Sequence, residues 1–243
     1  MAWLYLSEDL TVADATIGTR VVLRGAEARH ALQVARTRVG ERISIGDGEG
    51  LVVEGPVVGT DDGELMLEID AVRAEPQPQP ELWLAQALAK GDRDELAVQA
   101  ATELGVSGIV PWSAERSVVR WEGQKAAKAH ARWVAIVREA AKQSIRPRVP
   151  RVAPLASTRD LAALPGTVLV LDPGGSKGIG AVELPSEGRV TLVVGPEGGV
   201  SPRELETLAE AGATIVRLGT EVLRTSTAGP AAVAALQVRL GRW

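Results

Sequence analysis

The sequence predicts an α/β protein, a parallel sheet covered by helices on both faces and preceded by a small β-barrel. Three observations carry this. After residue 81, continuous Val/Ile/Leu runs alternate with helical stretches, the pattern of strands buried on both sides. Before residue 73, short strands recur between Gly-Asp-Gly and Asp-Asp-Gly turns. Between the two, EPQPQP (75–80) sets three prolines in six residues and continues neither a helix nor a central strand. The expected boundaries are therefore a barrel over 1–73, a linker over 74–80 and an α/β domain over 81–243.

The elements follow in order. RVVLRG (20–25), ERISIGDG (41–48), GLVVEGPVVG (50–59) and ELMLEIDAV (64–72) read as strands, with AEARHALQVAR (26–36) helical between the first two. Beyond the linker, ELWLAQAL (81–88) is strand-like and DRDELAVQAATELG (92–105) is a helix that Gly105 ends. GVSGIVP and ERSVV (115–119) are expected as short strands, and 123–144 as a long, largely basic helix closed by Arg146-Pro147. A short helix (157–166), strands over 167–173, 189–199 and 213–219, and a last helix over 227–243 complete the alternation.

Composition excludes much common chemistry. The 243 residues include no cysteine, which removes disulfides, thiolate catalysis and thiolate metal sites. The two histidines, His30 and His130, lie a hundred residues apart, which disfavours a His-based metal site or a Ser-His-Asp triad. No apolar run is long enough to span a membrane, and the first ten residues lack a basic leader region, so a cytoplasmic, metal-free protein is expected.

The net charge of −4 hides a division. Residues 1–73 hold 7 bases and 13 acids, yet six of those bases fall between Arg20 and Arg42. From Arg116 to Arg151 there are ten bases against two acids, with Trp112, Trp121 and Trp133 in or beside the run. Phosphates reward such density, and an aromatic face can stack an unpaired base. The competing reading is a solvated helix face with its tryptophans in the core. Two separate basic segments in an acidic chain favour nucleic acid.

Three glycine-bearing segments compete as ligand loops. DPGGSKGIG (172–180) resembles a dehydrogenase fingerprint, but a dinucleotide site needs a helix at the third glycine, and Pro185 leaves no room for one. It is expected as a loop bordering a site. In VVGPEGGVSPRELETL (193–208), Ser201, Pro202 and Glu204 account for a helix start as N-cap, first-turn proline and capping box. The GPEGG before them is a tight loop at a strand's carboxyl end, where glycines admit a ligand to backbone. Its acid disfavours phosphate and suits a neutral or cationic ligand such as S-adenosylmethionine. In VRLGTEVLRTSTAGPAAVAAL (216–236) a second strand ends in Leu218-Gly219, so two loops at parallel strand ends frame one pocket.

Taken together, GPEGG, LG-x-x-x-LR-x-x-TA, KGDRDELAVQAATELGV (90–106), ERSVV and W-x-x-I-x-x-EA-x-x-QS-x-R (133–146) resemble the RsmE family of SPOUT-class 16S ribosomal RNA (uracil-N3) methyltransferases, over essentially the whole chain. The resemblance implies a PUA-like RNA-binding barrel, a SPOUT α/β domain whose trefoil knot holds S-adenosylmethionine, and a homodimer acting on 16S rRNA in the small ribosomal subunit. Carried over by residue, it implies donor contacts at Leu171, Gly195, Glu197, Gly198, Leu218, Gly219, Leu223 and Thr225. It implies RNA contacts at Arg24, His30, Arg36 and Arg38 from the barrel, and at Arg116, Gln143, Ser144 and Arg146 on the RNA side of the catalytic domain. Ser226 stands where the family commonly has Glu, and Ala100 where it commonly has Lys.

Uracil N3 is protonated and a poor nucleophile, so catalysis requires alignment with the methyl and stabilisation of a developing anion. Arg224, beside the predicted donor loop, is the candidate positive charge. Glu197 is the candidate proton acceptor or, better suited to its loop, the partner of the donor's positive charge. N3 is buried in paired RNA, so the target is single-stranded or flipped out. The alternatives are methylation of ribose 2′-O or another base, and a non-catalytic RNA-binding or assembly factor.

Overall fold

The computed structural model describes residues 4–243, which divide into two compact units. Of the described residues, the first comprises 4–77 with 141–149, and the second 78–140 with 150–243. The break near residue 77 falls in the proline run, but residues 141–149 pack with the barrel residues, a return that the sequence reading assigned wholly to the α/β domain.

In the first unit, β1 (Leu4–Leu6), β2 (Arg20–Leu23), β3 (Arg42–Gly46), β4 (Leu51–Asp61), β5 (Glu64–Glu68) and β6 (Ala71–Ala74) form a mixed sheet in the order β1-β3-β4-β5-β2, with β6 against β4. β4 bends the sheet around its core. Its first half pairs with β3 and β6, its second with β5, and the register shifts between Val57 and Gly59. Gly55 lies at the turning point, where an added Cβ would meet the Glu68 carbonyl oxygen at 1.8 Å. Tyr5, Leu23, Ile45, Val53, Leu65, Leu67 and Ile69 fill the interior. The expected helix over 26–36 is α1 (Gly25–Arg29) continuing into a π-helical turn at His30–Val34. Three-residue β1 carried no period to read.

The second unit is built on a seven-stranded parallel sheet. Its strands are β7 (Glu81–Ala87), β8 (Gly108–Trp112), β9 (Arg151–Val152), β10 (Thr167–Leu171), β11 (Lys177–Gly178), β12 (Arg189–Val194) and β13 (Thr214–Arg217), in the order β11-β13-β10-β12-β7-β8-β9. Both faces are covered, which is why the strands read as continuous apolar runs. Trp83, Ala85 and Ala87 of β7 join a core that includes Leu161 of α4 (Thr158–Ala162) and Leu208 of α5 (Pro202–Glu210). Leu84, one residue out of phase, meets α6 (Thr225–Arg239) on the other face, where a Cβ on Gly229 would lie 3.0 Å from the Leu84 side chain. α2 (Arg93–Glu103) packs against α6.

Two expectations are corrected. ERSVV is a turn and not a strand: the Arg120 guanidinium folds back to donate to the carbonyls of Ala114 (2.8 Å) and Glu115 (3.1 Å), a local closure that the β-propensity of Val118-Val119 does not reveal. Trp112 and Trp133 are buried rather than presented for stacking. Trp121 is half-buried, edge-on to Trp133 at 5.1 Å between ring centroids. The tryptophans belong to the packing of the unit. The long basic helix forms as α3 (Gly123–Gln143).

Candidate active site

The strand order reverses between β7 and β12; the GPEGG loop leaves the carboxyl end of β12 at that point, and the Leu218-Gly219 loop leaves the carboxyl end of β13, with the end of β10 between them. They enclose a cavity of about 470 Å³, within the range of small-molecule sites. Leu171, Val194, Leu218 and Leu223 supply apolar wall, and Asp172, Glu197, Glu221, Arg93, Arg217 and Arg224 supply charge. Gly195 leaves no room for a side chain, since a Cβ would sit 2.9 Å from Val200 Cγ2 and 3.0 Å from Val200 N.

The GPEGG loop is held from three sides. Ser201 caps α5, accepting from Glu204 N, and the Glu204 carboxylate closes the capping box on Ser201 N at 3.0 Å. That buried carboxylate also accepts from Glu115 N and Thr158 Oγ1, each at 2.8 Å, tying the loop to the 113–117 turn. From that turn, Arg116 Nη1 donates to the Gly198 carbonyl at 2.9 Å. On the cavity side, Glu197 Oε1 accepts from Lys90 N (3.0 Å) and Arg93 Nη1 (2.9 Å).

Burial alone pushes the Glu197 carboxyl up, but its own backbone N–H, that of Lys90 and the Arg93 guanidinium outweigh it and hold it below the usual range. It is a carboxylate, poorly suited to take a proton. Because the folded-state value is depressed, the associated stability is present above the ordinary Glu range, about 4.3, and is lost as pH falls through the folded value. Glu197→Gln is expected to melt lower than the parent at pH 7, with the two melting curves converging as the pH falls below about 4; melting temperatures across pH 3–7 check this.

An RNA methyltransferase domain model matches residues 75–237 and an RNA methyltransferase PUA domain model residues 23–70. The chain is 40% identical over 233 residues to ribosomal RNA small subunit methyltransferase E of Mycobacterium bovis, covering 93% of this chain and 89% of that one. The chain belongs to the ribosomal RNA small subunit methyltransferase E family. The Bacillus subtilis member is 31% identical over 225 residues, covering 88% of each chain. The solved Neisseria gonorrhoeae member, bound to S-adenosyl methionine, has a TM-score of 0.86 and 32% identity over 98% of both chains.

In this family member, seven of the eight expected donor-site residues line the cavity: Leu171, Gly195, Glu197, Leu218, Gly219, Leu223 and Thr225. Gly198 does not; it faces Arg116 instead. Arg224 lines the cavity, is exposed, and has no side-chain hydrogen bond or ion pair among the described residues. Ser226, one turn position beyond, is outside the lining, so the departure from the family's Glu leaves the wall intact. Arg93, Asp172, Arg217 and Glu221 were not anticipated. The Arg93–Glu197 pair spans 104 residues and has no local signal.

The expected RNA contacts divide by unit, and the expectation is corrected for Gln143, Ser144 and Arg146, which fall in the first unit with the barrel and not in the catalytic one. In the first, Arg24 is paired with Glu64 at 2.9 Å, and His30 is half-buried, edge-on to Tyr5. Arg36, at φ 57°, and Arg38 are exposed, and among the described residues neither guanidinium is paired with a carboxylate. Arg29, not singled out by sequence, is the same. The Arg38 backbone N–H donates to Glu41 Oε2 at 3.0 Å. Gln143 is exposed at the end of α3 and Ser144 is half-buried, its Oγ 3.4 Å from the Ala141 carbonyl. Ile145 holds a left-handed φ of 55°, and burial pulls the following Arg146 guanidinium down to about 10, still charged at neutral pH. In the second unit, Arg116 is exposed with one guanidinium nitrogen already spent on Gly198.

Proposed function

We propose that this protein transfers a methyl group from S-adenosylmethionine to N3 of a uridine in 16S rRNA of the small ribosomal subunit, as a cytoplasmic homodimer. The observation that carries the reading is the cavity at the strand ends, framed by GPEGG and the Leu218–Thr225 segment, in a chain whose Neisseria relative is solved with that donor bound. The donor, when bound, supplies an activated methyl on a cationic sulfur. Leu171, Leu218 and Leu223 offer apolar contact, and Gly195 and Gly219 offer backbone to it. Glu197, charged but already matched by Arg93, contributes field and loop position rather than a proton acceptor. Arg224, with no internal partner among the described residues, is free to stabilise the anion developing at N3 and its flanking carbonyls. The loops after β12 and β13 are taken as the segments of the trefoil knot. Leu96 on α2 and Val238 on α6, both exposed, are apolar side chains that a second copy would cover. Arg29, Arg36 and Arg38, whose guanidinium groups are unpaired among the described residues, offer charge to RNA phosphates.

The test is transfer of labelled methyl to undermethylated small subunits, followed by nucleoside mass spectrometry. Label in 3-methyluridine is expected. Label in a 2′-O-methyl nucleoside would overturn the N3 assignment, and absence of both transfer and donor binding would overturn the enzyme.

A further inference from the structure

Gln86 is the next-to-last residue of β7, and the chemistry above makes no use of it. Its side chain is fully buried and does not line the cavity. In the β7–β12 register it stands opposite Val194, the residue before Gly195. Its Nε2 lies 2.9 Å from Thr225 Oγ1 and 3.1 Å from the Ala87 carbonyl oxygen, and Thr225 Oγ1 lies 2.7 Å from the Gly195 carbonyl oxygen. One side chain thus reaches, through a single hydroxyl, from the central strand to both the first residue of α6 and the GPEGG loop.

The direction of every proton in this chain follows from chemistry. A carbonyl oxygen only accepts, so the amide atom beside Ala87 O is the nitrogen. Nε2 therefore donates to Thr225, whose hydroxyl accepts and must spend its one proton on the Gly195 carbonyl. The Oε1 of Gln86 is left buried with no hydrogen-bond partner among the described residues. An unpaired buried oxygen is unfavourable, and an apolar side chain of similar length would avoid it. The glutamine is thus suboptimal for stability at a position where it organises the loops.

We infer that Gln86 is a positioning residue, whose amide fixes the Thr225 hydroxyl proton on Gly195 and so clamps the GPEGG loop to the start of α6 at the spacing that receives the methyl donor. The inference rests on the donor reading above. Thr225 follows Arg224 directly, so the same clamp sets the backbone from which the guanidinium extends.

Calorimetric titration of the full chain with S-adenosylmethionine tests it, using the parent, Gln86→Met, Gln86→Glu, Thr225→Val and the Met/Val double variant. Gln86→Met is expected to weaken donor binding about tenfold, the scale of one lost buried hydrogen bond, while its melting temperature holds or rises. A residue with a merely structural role would lower both. Thr225→Val is expected to lose a similar factor, and the double variant to be no weaker than Thr225→Val alone, because both changes break one chain. Gln86→Glu, whose carboxylate draws the Thr225 proton away from Gly195, is expected to weaken binding as well and serves if the Met variant does not fold. Parental affinity in Gln86→Met or Gln86→Glu, or multiplicative losses in the double variant, would overturn the inference while leaving the donor reading in place. Failure of the parent to bind the donor would overturn both.

Discussion

Arg224→Ala is expected to lower methyl transfer by roughly 10²–10³-fold while changing donor affinity less than about threefold. Arg224 precedes α6 as its N-cap, and its backbone carbonyl accepts from Thr227 and Ala228 N–H groups at 2.8 and 2.9 Å. The main chain at this position is therefore fixed by the helix start and not by the guanidinium, so removing the side chain spares the loop. Arg93, by contrast, is engaged with Glu197, and Arg217 with the Gly175 carbonyl at 3.3 Å. Arg224 is the cavity cation with no internal partner among the described residues, which is what stabilising charge on a reacting base requires. Single-turnover transfer and donor titration, measured on the same preparation, separate the two effects. Equal loss in both would place the guanidinium on the donor and not on the uracil.

Glu204→Ala is expected to cost about 3–5 kcal/mol and to lower the melting temperature by about 10 °C. The cost comes from three donors that lose one buried acceptor: Glu115 N, Thr158 Oγ1 and Ser201 N. Ser201 Oγ also donates to Glu115 Oε2 at 2.6 Å, so the carboxylate sits inside a network and not at an isolated cap. Its loss frees the 113–117 turn and with it the Arg116 contact to Gly198, and donor affinity is expected to fall alongside stability. Glu204→Gln keeps one acceptor oxygen but presents an NH₂ group to donors, and should fall between. Thermal melting with donor titration checks both; a drop below about 2 °C would mean that water replaces the carboxylate.

Ser201 and Glu204 show what local sequence can carry. A capping box lies within four residues, and both helix start and loop end were read from it. Most of the pocket was also legible, because the greater part of its wall comes from two contiguous segments that each follow a strand, the ends of β12 and β13. What was not legible is long-range. Glu204 reads as a cap, and nothing nearby announces that Glu115 and Thr158, 89 and 46 residues away, also donate to it. Gly198 reads as one more loop glycine, but Arg116, 82 residues earlier, claims its carbonyl. The basic run from Arg116 to Arg151 reads as one electrostatic face. In the fold its members do different things: Arg120 braces its own turn, Arg132 pairs with Glu95, and Lys142 forms a buried pair with Glu27 at 3.0 Å. Charge density predicts attraction to a polyanion, but not which charges the chain has already committed to itself.

The membership of residues 141–149 in the first unit has a consequence for synthesis. Lys142 neutralises Glu27, the Pro147 carbonyl receives Gly50 N–H, and the Arg148 guanidinium holds the Glu75 carbonyl at 2.8 and 3.0 Å. A nascent chain ending at the proline run therefore emerges with an acidic barrel that lacks its cationic brace. That unit reaches its final contacts only after β7, α2, β8 and α3 have been translated. The two units are thus not successive beads made one after the other, and the first unit is completed only while the second is already being translated.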